Sequence, residues 1–395
     1  MKNKLILRII NNPFEVYRKG KILLRYRRSK MLNKRLLSSS GKVDFHYGVW
    51  GIGNAGDIVL FQEVENTIQK HPFYQRDLGT GEICEEEIEL LNKKARVLVL
   101  GGGGLFLKDS NSNSNSGWQF NIKESRLDKL HVPLVLFAVG YNRFRGQEEF
   151  DEVFESHLLK TISKAAFVGL RNTGSINAIK TYLPEELQSK IKFQPCPTTI
   201  IKKLHPEVEQ SFNFNRKRDK KIAINIAFDR EEMRFKGRFK SILASLVSIC
   251  ESYKAEAWKV EFVGHCKVDK KIKPYIKSKF PFKDLTYDSY DQIIDYYKNV
   301  PITIGMRGHA QMIPFGIGNG ILSLISHDKM KWFLDDIKHP EWGIEILSEQ
   351  FESDLQEKLE KLISDYDAVQ KKINLAQDML YQLTMDNVKE INSLR

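Results

Sequence analysis

Three nearly continuous apolar runs, "ARVLVL" (95–100), "PLVLFAVG" (133–140) and "AAFVGL" (165–170), stand within one stretch of about eighty residues, separated by polar and helical segments. Strands that bury both faces lose the period-two alternation of half-exposed ones. Such runs, alternating with helical stretches, therefore predict a parallel sheet covered on both sides. A fourth run, "FHYGVW" (45–50), precedes them and opens into "GIGNAGDIVLFQEVENTIQK" (51–70), whose second half has helical spacing. The same texture returns in "IAINIAF" (222–228), "KVEFVGH" (259–265), "VPITIGMRGH" (300–309) and "GILSLIS" (320–326).

Between the two series the composition turns polar, in "KKLHPEVEQSFNFNRKRDKK". The expected class is α/β, with two Rossmann-like doubly wound domains facing a cleft. The expected divisions are a basic N-terminal arm at 1–42, a first domain at 43–204, a linker at 205–220 and a second domain at 221–345. Residues 346–395, with apolar residues at i, i+3 and i+4, read as C-terminal helices packing across the domains. No internal repeat of 20–50 residues is apparent.

Charge separates the arm from the body. Residues 1–42 hold 13 of the 62 Lys and Arg and one of the 50 acids, Glu15, which leaves 49 of each sign for the rest. The arm's interleaved apolar and basic residues ("KILLRYRRSKMLNKRLL") suit a helix lying on an anionic membrane surface, where each basic residue contributes about 1 kcal/mol. A solvated helix and a nucleic-acid-binding tail are the alternatives. The neutral body offers no basic groove, so no nucleic acid is expected as partner. The longest apolar runs fall short of the ~18–20 residues of a spanning helix, and Arg8 interrupts "MKNKLILRII" too early for a signal peptide. Four cysteines without CxxC spacing fit a reducing cytosol. The expected location is cytoplasmic, peripheral on the inner face of the membrane if the arm binds there.

In doubly wound sheets ligands sit at the carboxyl ends of the strands, and five strand ends carry candidate residues. "VLVLGGGGLFL" places Gly102, Gly103 and Gly104 where backbone N–H groups can approach a ligand, or where a tight turn needs them. It lacks the GxGxxG spacing and the downstream acid of a dinucleotide site. The following "KDSNSNSNSGWQF" reads as a mobile lid or a plain surface loop. "GIGNAGD" offers Asn54 and Asp57, the latter as a helix N-cap or as an acceptor-hydroxyl ligand and general base. "FVGLRNTGS" sets Arg171 just past a strand, as a surface residue or as a guanidinium fork for an anion. "GMRGHA" holds Arg307 and His309 two apart between glycines, and "SHDKM" adds His327, Asp328 and Lys329. No nucleophile elbow, HExxH, P-loop or carboxylate-rich metal cluster appears. The residues alone indicate a two-domain enzyme that uses arginine, histidine and lysine on a small anionic substrate.

The ordered set "GIGNAGD", "VLGGGGLF", "GLRNTGS", "MRGHAQMIPFG" and "SHDKMKWFLDDI", from about Tyr47 to Ile337, resembles the polysaccharide pyruvyl transferase family. The resemblance implies a GT-B-like fold. It also implies transfer of pyruvate from phosphoenolpyruvate, as a cyclic ketal, to two hydroxyls of a sugar in a surface polysaccharide or its lipid-linked precursor, releasing phosphate. No cofactor and no metal are implied; phosphoenolpyruvate is a co-substrate. By motif matching, Arg171 stands where the family's arginine binds the donor, Arg307 and His309 stand in its Arg-x-His motif, Lys329 lies where a downstream lysine is expected, and Asn54 and Asp57 match its Asn-x-Gly-Asp turn. The chemistry expected of these residues makes His309 the main general acid, Arg171, Arg307 and Lys329 the holders of phosphoenolpyruvate, and Asp57 the group that orients or deprotonates the acceptor, with Asn54 and Gly102–Gly104 as acceptor or loop-backbone contacts. Three positions depart from the pattern. Gly308 replaces a bulkier apolar residue, Asn172 replaces an aspartate, and Lys331 competes with Lys329 for the lysine role. The rival expectation is a nucleotide-sugar-dependent GT-B-type glycosyltransferase, and from a different class, a non-catalytic binder acting through the arm.

Overall fold

The computed structural model of the 395-residue chain describes residues 13–50, 53–68, 72–110, 113–210 and 219–394. In chain order, counting helices of eight residues or more, it runs α1 (Pro13–Leu37), β1 (Val43–Gly48), α2 (Ala55–Ile68), β2 (Tyr74–Asp77), α3 (Glu85–Lys94), β3 (Ala95–Phe106), β4 (Leu134–Tyr141), α4 (Glu152–Lys164), β5 (Phe167–Leu170), α5 (Thr173–Lys180) and β6 (Ile191–Phe193). It continues with β7 (Lys221–Asn225), α6 (Phe239–Ala255), β8 (Lys259–Gly264), β9 (Phe282–Asp284), α7 (Tyr290–Lys298), β10 (Ile302–Gly305), α8 (Gly308–Ile317), β11 (Gly320–Ile325), α9 (Asp328–Asp336), β12 (Gly343–Glu345), α10 (Phe351–Ser364) and α11 (Tyr366–Ser393).

Two six-stranded sheets result, in the orders β2-β1-β3-β4-β5-β6 and β12-β11-β10-β7-β8-β9. Every strand pairing is parallel. In each sheet the order reverses beside the first strand of that half, the arrangement that opens a crevice at the carboxyl edge. β4 and β11 are buried along their whole length, as two-sided coverage requires. This is the expected pair of Rossmann-like domains in a GT-B-like arrangement.

The ends of the chain tie the halves together. α1 is a continuous helix that tolerates Gly20 within it, and it docks on the first sheet's edge: Asn33 donates to the Gln75 carbonyl (2.8 Å) and accepts from its N–H (2.9 Å). α11 reaches both domains. Its Asn387 donates to Phe193 O (2.9 Å) and Asn392 to Ile68 O (3.1 Å), while Gln377 donates to Phe315 O (2.6 Å). Among the described residues no helix is long and apolar enough to cross a membrane.

The polar loop after β3 is less open than its sequence suggests. Asn113 caps it by accepting from Asn115 N and Ser116 N (3.1 and 2.9 Å), and Trp118 is fully buried with its indole N–H on His157 (3.0 Å). Residues 111 and 112 of that loop lie outside the described residues.

Candidate functional site

The carboxyl edges of the two sheets face each other across a cavity of about 330 Å³, near the lower end of the usual range for small-molecule sites. Asn54, Asp57, Gly102–Gly104 and Arg171 line it from the first domain, and Arg307, Gly308, His309 and Lys329 from the second. The glycines of 102–104 stay within β3 instead of forming a turn; the side of Gly102 away from its chain neighbours is filled by Leu60, which a Cβ would meet at 3.1 Å.

Asn54, not Asp57, caps α2: its Oδ1 accepts from Gly56 N (3.0 Å) and its amide donates to Asp57 Oδ2 (2.6 Å). Asp57 sits one turn in, with its carboxyl at the cavity. Burial raises its pKa to about 6, although Lys329, Arg171 and Arg307 all pull it down. Arg171 is not a surface residue. It is 6% exposed, its Nε has no hydrogen-bond partner, and it packs against Gly140, where a Cβ would meet the guanidinium at 2.5 Å. Burial lowers its pKa, with Asp57 the nearest carboxylate pulling the other way. Its neighbour Asn172 caps α5 by accepting from Ser175 N (2.7 Å), a role asparagine and aspartate share. The departure from the family's aspartate thus falls on a helix cap.

Arg307 is the residue before α8 and His309 lies in that helix's first turn, so the pair sits at a helix N-terminus and not along an extended segment. Arg307 arrives heavily paired. Its Nε and Nη2 hold Asp269 (2.9 and 2.5 Å), and Nη2 also meets Asp229 (2.7 Å). Despite the cost of burial, these carboxylates hold its pKa above the ordinary arginine value. His309 lies 3.7 Å from Cys196 Sγ. Burial, then Arg171 and Lys329, push its pKa well below the usual histidine range, which favours the neutral imidazole. Lys329 donates to Asn142 Oδ1 (2.9 Å), a neutral partner, and burial with Arg171 and Arg234 lowers its pKa to about 7. Lys331 is half exposed and pairs with Asp335 (2.6 Å) one turn along α9. His327 caps α9 (3.2 Å to Lys329 N), and Asp328 meets Arg145 of the other domain (2.6 Å).

Sequence reasoning missed a second group around the same cavity. Asp229 follows β7 and is held well below the carboxylate range by Arg307 and Arg234, against the cost of burial. Arg230 lies over the Phe144 ring (4.3 Å) and grips Asp109 (2.7 Å), bridging the domains at the cavity wall. Asp269 is buried and also accepts from His265 N, Cys266 N and Asn225. The available signal was position: "FDREEMRF" and "GHCKVD" follow strands β7 and β8 at the same carboxyl edge as the residues that were found.

Summed over the cavity, Arg307 is offset by Asp269 and Asp229. Arg171 and Lys329 hold no carboxylate by a hydrogen bond, although Asp57 lies in the field of both and Asp229 in that of Lys329. A buried cation without a carboxylate partner is costly unless something anionic completes it. The arrangement can take a small anion, with a neutral imidazole and a titrating carboxyl beside it. Among the described residues no group of three or more His, Cys, Asp or Glu side chains could hold a metal ion.

The family model described as polysaccharide pyruvyl transferase matches residues 3–316. No curated protein matches the chain. Similar solved structures include UDP-GlcNAc 2-epimerase from Methanocaldococcus jannaschii (15% identity, 81% of this chain and 92% of that one, TM-score 0.49). The UDP-GlcNAc 2-epimerase from Neisseria meningitidis bound to UDP-GlcNAc is another (13%, 87% and 100%, 0.49), and a glycosyltransferase from Rickettsia africae a third (14%, 88% and 94%, 0.49).

Proposed function

The chain belongs to the polysaccharide pyruvyl transferase family, and on that premise we propose that it takes pyruvate from phosphoenolpyruvate and builds a cyclic ketal on two hydroxyls of a sugar. The observation that carries the donor assignment is the buried pair Arg171 and Lys329, two cations without a hydrogen-bonded carboxylate. Phosphoenolpyruvate brings a carboxylate and a phosphate, which complement a guanidinium and an ammonium. Arg307, fixed by Asp269 and Asp229, is a rigid donor at the same edge.

The reaction adds a proton to the methylene carbon C3, leaving positive charge at C2. One sugar hydroxyl attacks C2 and loses its proton. The C2–O bond to phosphate then breaks, and a second hydroxyl closes the ketal, its proton leaving in turn. Of the two hydroxyl protons, one balances the new C–H bond and one leaves on phosphate. Burial is the larger cause of His309's lowered pKa, but a trianion bound beside Arg171 and Lys329 offsets the part due to those cations and so shifts the imidazole upward, toward the range where it can deliver a proton. Asp57, with a pKa near neutrality, is placed in this reading to take protons from the acceptor hydroxyls. The acceptor is a sugar of a surface polysaccharide or its lipid-linked precursor. The basic helix α1 holds the enzyme peripherally on the inner, anionic face of the membrane.

Thermal unfolding tests the donor. At a hundredfold excess over its dissociation constant, phosphoenolpyruvate should stabilise the protein by about 2.7 kcal/mol, and Arg171→Ala should abolish the shift. Stabilisation by UDP or a UDP-sugar, with none from phosphoenolpyruvate, would instead identify a nucleotide-sugar glycosyltransferase.

A further inference from the structure

A second cavity, of about 910 Å³, lies between α1, the start of α2 and the segment that leads into α7. It is larger than the catalytic cavity and plays no part in the chemistry above. Its walls are mixed. Leu24 and Leu32 of α1 face Ile58 and Phe61 of α2, while Arg25 and Arg28 stand on the α1 side. Across the opening, Asp288 is paired with Lys283 (3.1 Å), and Asp291 also lines the groove opposite the two arginines.

Two continuities say what a ligand here would connect. At the outer end, Leu24 is 54% exposed, and Leu23 (57%) and Met31 (73%) share the outward face of α1 with the exposed Arg27, Arg28 and Lys30. That face is apolar and cationic together, the pattern of a helix resting on an anionic bilayer. At the inner end, the two cavities share a wall of consecutive residues. Gly53 and Ile58 line the groove, whereas their chain neighbours Asn54 and Asp57 line the catalytic cavity.

We propose that this groove seats the lipid phosphate end of a membrane-borne acceptor, with the sugar it carries reaching past Gly53–Asn54 to Asp57. The proposal rests on the acceptor reading given above. Its occupant has an apolar chain for Leu24, Leu32, Ile58 and Phe61, and a phosphate for Arg28 and Arg25. Arg25 already lies in the field of Asp77 and Glu65, so Arg28, at the exposed side, is the residue to change.

The test uses the full chain and dodecyl phosphate below its micellar concentration, read by tryptophan fluorescence. Trp50 lies 5.0 Å from Tyr26 of α1 and 6.2 Å from Phe61, ring to ring, and serves as reporter. Dodecyl phosphate should bind, Arg28→Glu should weaken it at least tenfold, and inorganic phosphate or dodecyl maltoside should not compete. Phosphoenolpyruvate stabilisation, measured on the same two proteins, should be unchanged by Arg28→Glu. Equal affinity in both proteins, displacement by inorganic phosphate, or equally tight binding of the maltoside would overturn the groove's assignment. A dimer that dodecyl phosphate dissociates would give the groove to a second copy and overturn it likewise. Arg28-dependent binding in a protein that does not respond to phosphoenolpyruvate would uphold the groove and refute the donor.

Discussion

Asp57 pays for its position in stability, and the sign of that cost can be worked out. Its pKa rises from 3.8 to about 6 on folding. Between those values the folded protein holds a proton that the unfolded chain has released, so stability falls as pH rises through the window and the deficit persists above it. Asp57→Asn should therefore be more stable than the parent at pH 7.5, by on the order of 2 kcal/mol once screening by the cavity is allowed for. The gain should vanish below about pH 4, and turnover should be lost at both. Chemical denaturation at the two pH values checks this; a variant equally stabilised at both would place the effect elsewhere. Arg171, Arg307 and His309 were found from sequence because they stand beside glycine or close after an apolar run, and Lys329 because it follows the run "GILSLIS" in a cluster with His327. Asp229 and Asp269 were missed because their surroundings, "DREEM" and "CKVDKK", read as solvated charge. Nothing in one dimension says that these carboxylates turn inward to hold Arg307.

At the scale of elements, α2 and α8 meet end to end across the cleft. A Cβ on Gly56 would lie 2.6 Å from His309 Cβ, whereas one on Gly308 would meet nothing nearer than Lys329 Cε at 3.9 Å. Gly56→Ala should displace the imidazole and lower kcat by a hundredfold or more, since a misplacement of about 1 Å has that effect. Gly308→Ala should stay within a few-fold. Steady-state rates for the two variants separate these outcomes, and equal losses would refute the steric account. Eight of the twelve strands were visible as apolar runs. The four that were not, β2, β6, β9 and β12, are the outer strands of the two sheets. They are three or four residues long, and β2 ("YQRD"), β6 ("IKF") and β9 ("FKD") carry charge as edge strands do. An edge buries one side less, so the signal that exposes a central strand is absent from it.

Over the whole molecule, the described part of the arm is the helix α1, bound to the first sheet's edge through Asn33. Its exposed Arg27, Lys30 and Lys34 make the membrane reading testable without deleting it. Full-length protein should float with anionic vesicles and be released by high salt. Replacing the three by Glu should remove more than about 3 kcal/mol, a hundredfold or greater loss. Flotation that survives the triple change, or that occurs equally with zwitterionic vesicles, would refute this role for the helix.

The helix α11, which clasps Ile68 and Phe193 on one side and Phe315 on the other, is made after every strand it covers. At synthesis rates of roughly 5–20 residues per second, about 10–40 s separate the end of the first sheet from the arrival of this helix. For that interval the nascent first half carries an apolar surface whose cover does not yet exist, and the cleft between the domains lacks the helix that clasps both sides of it.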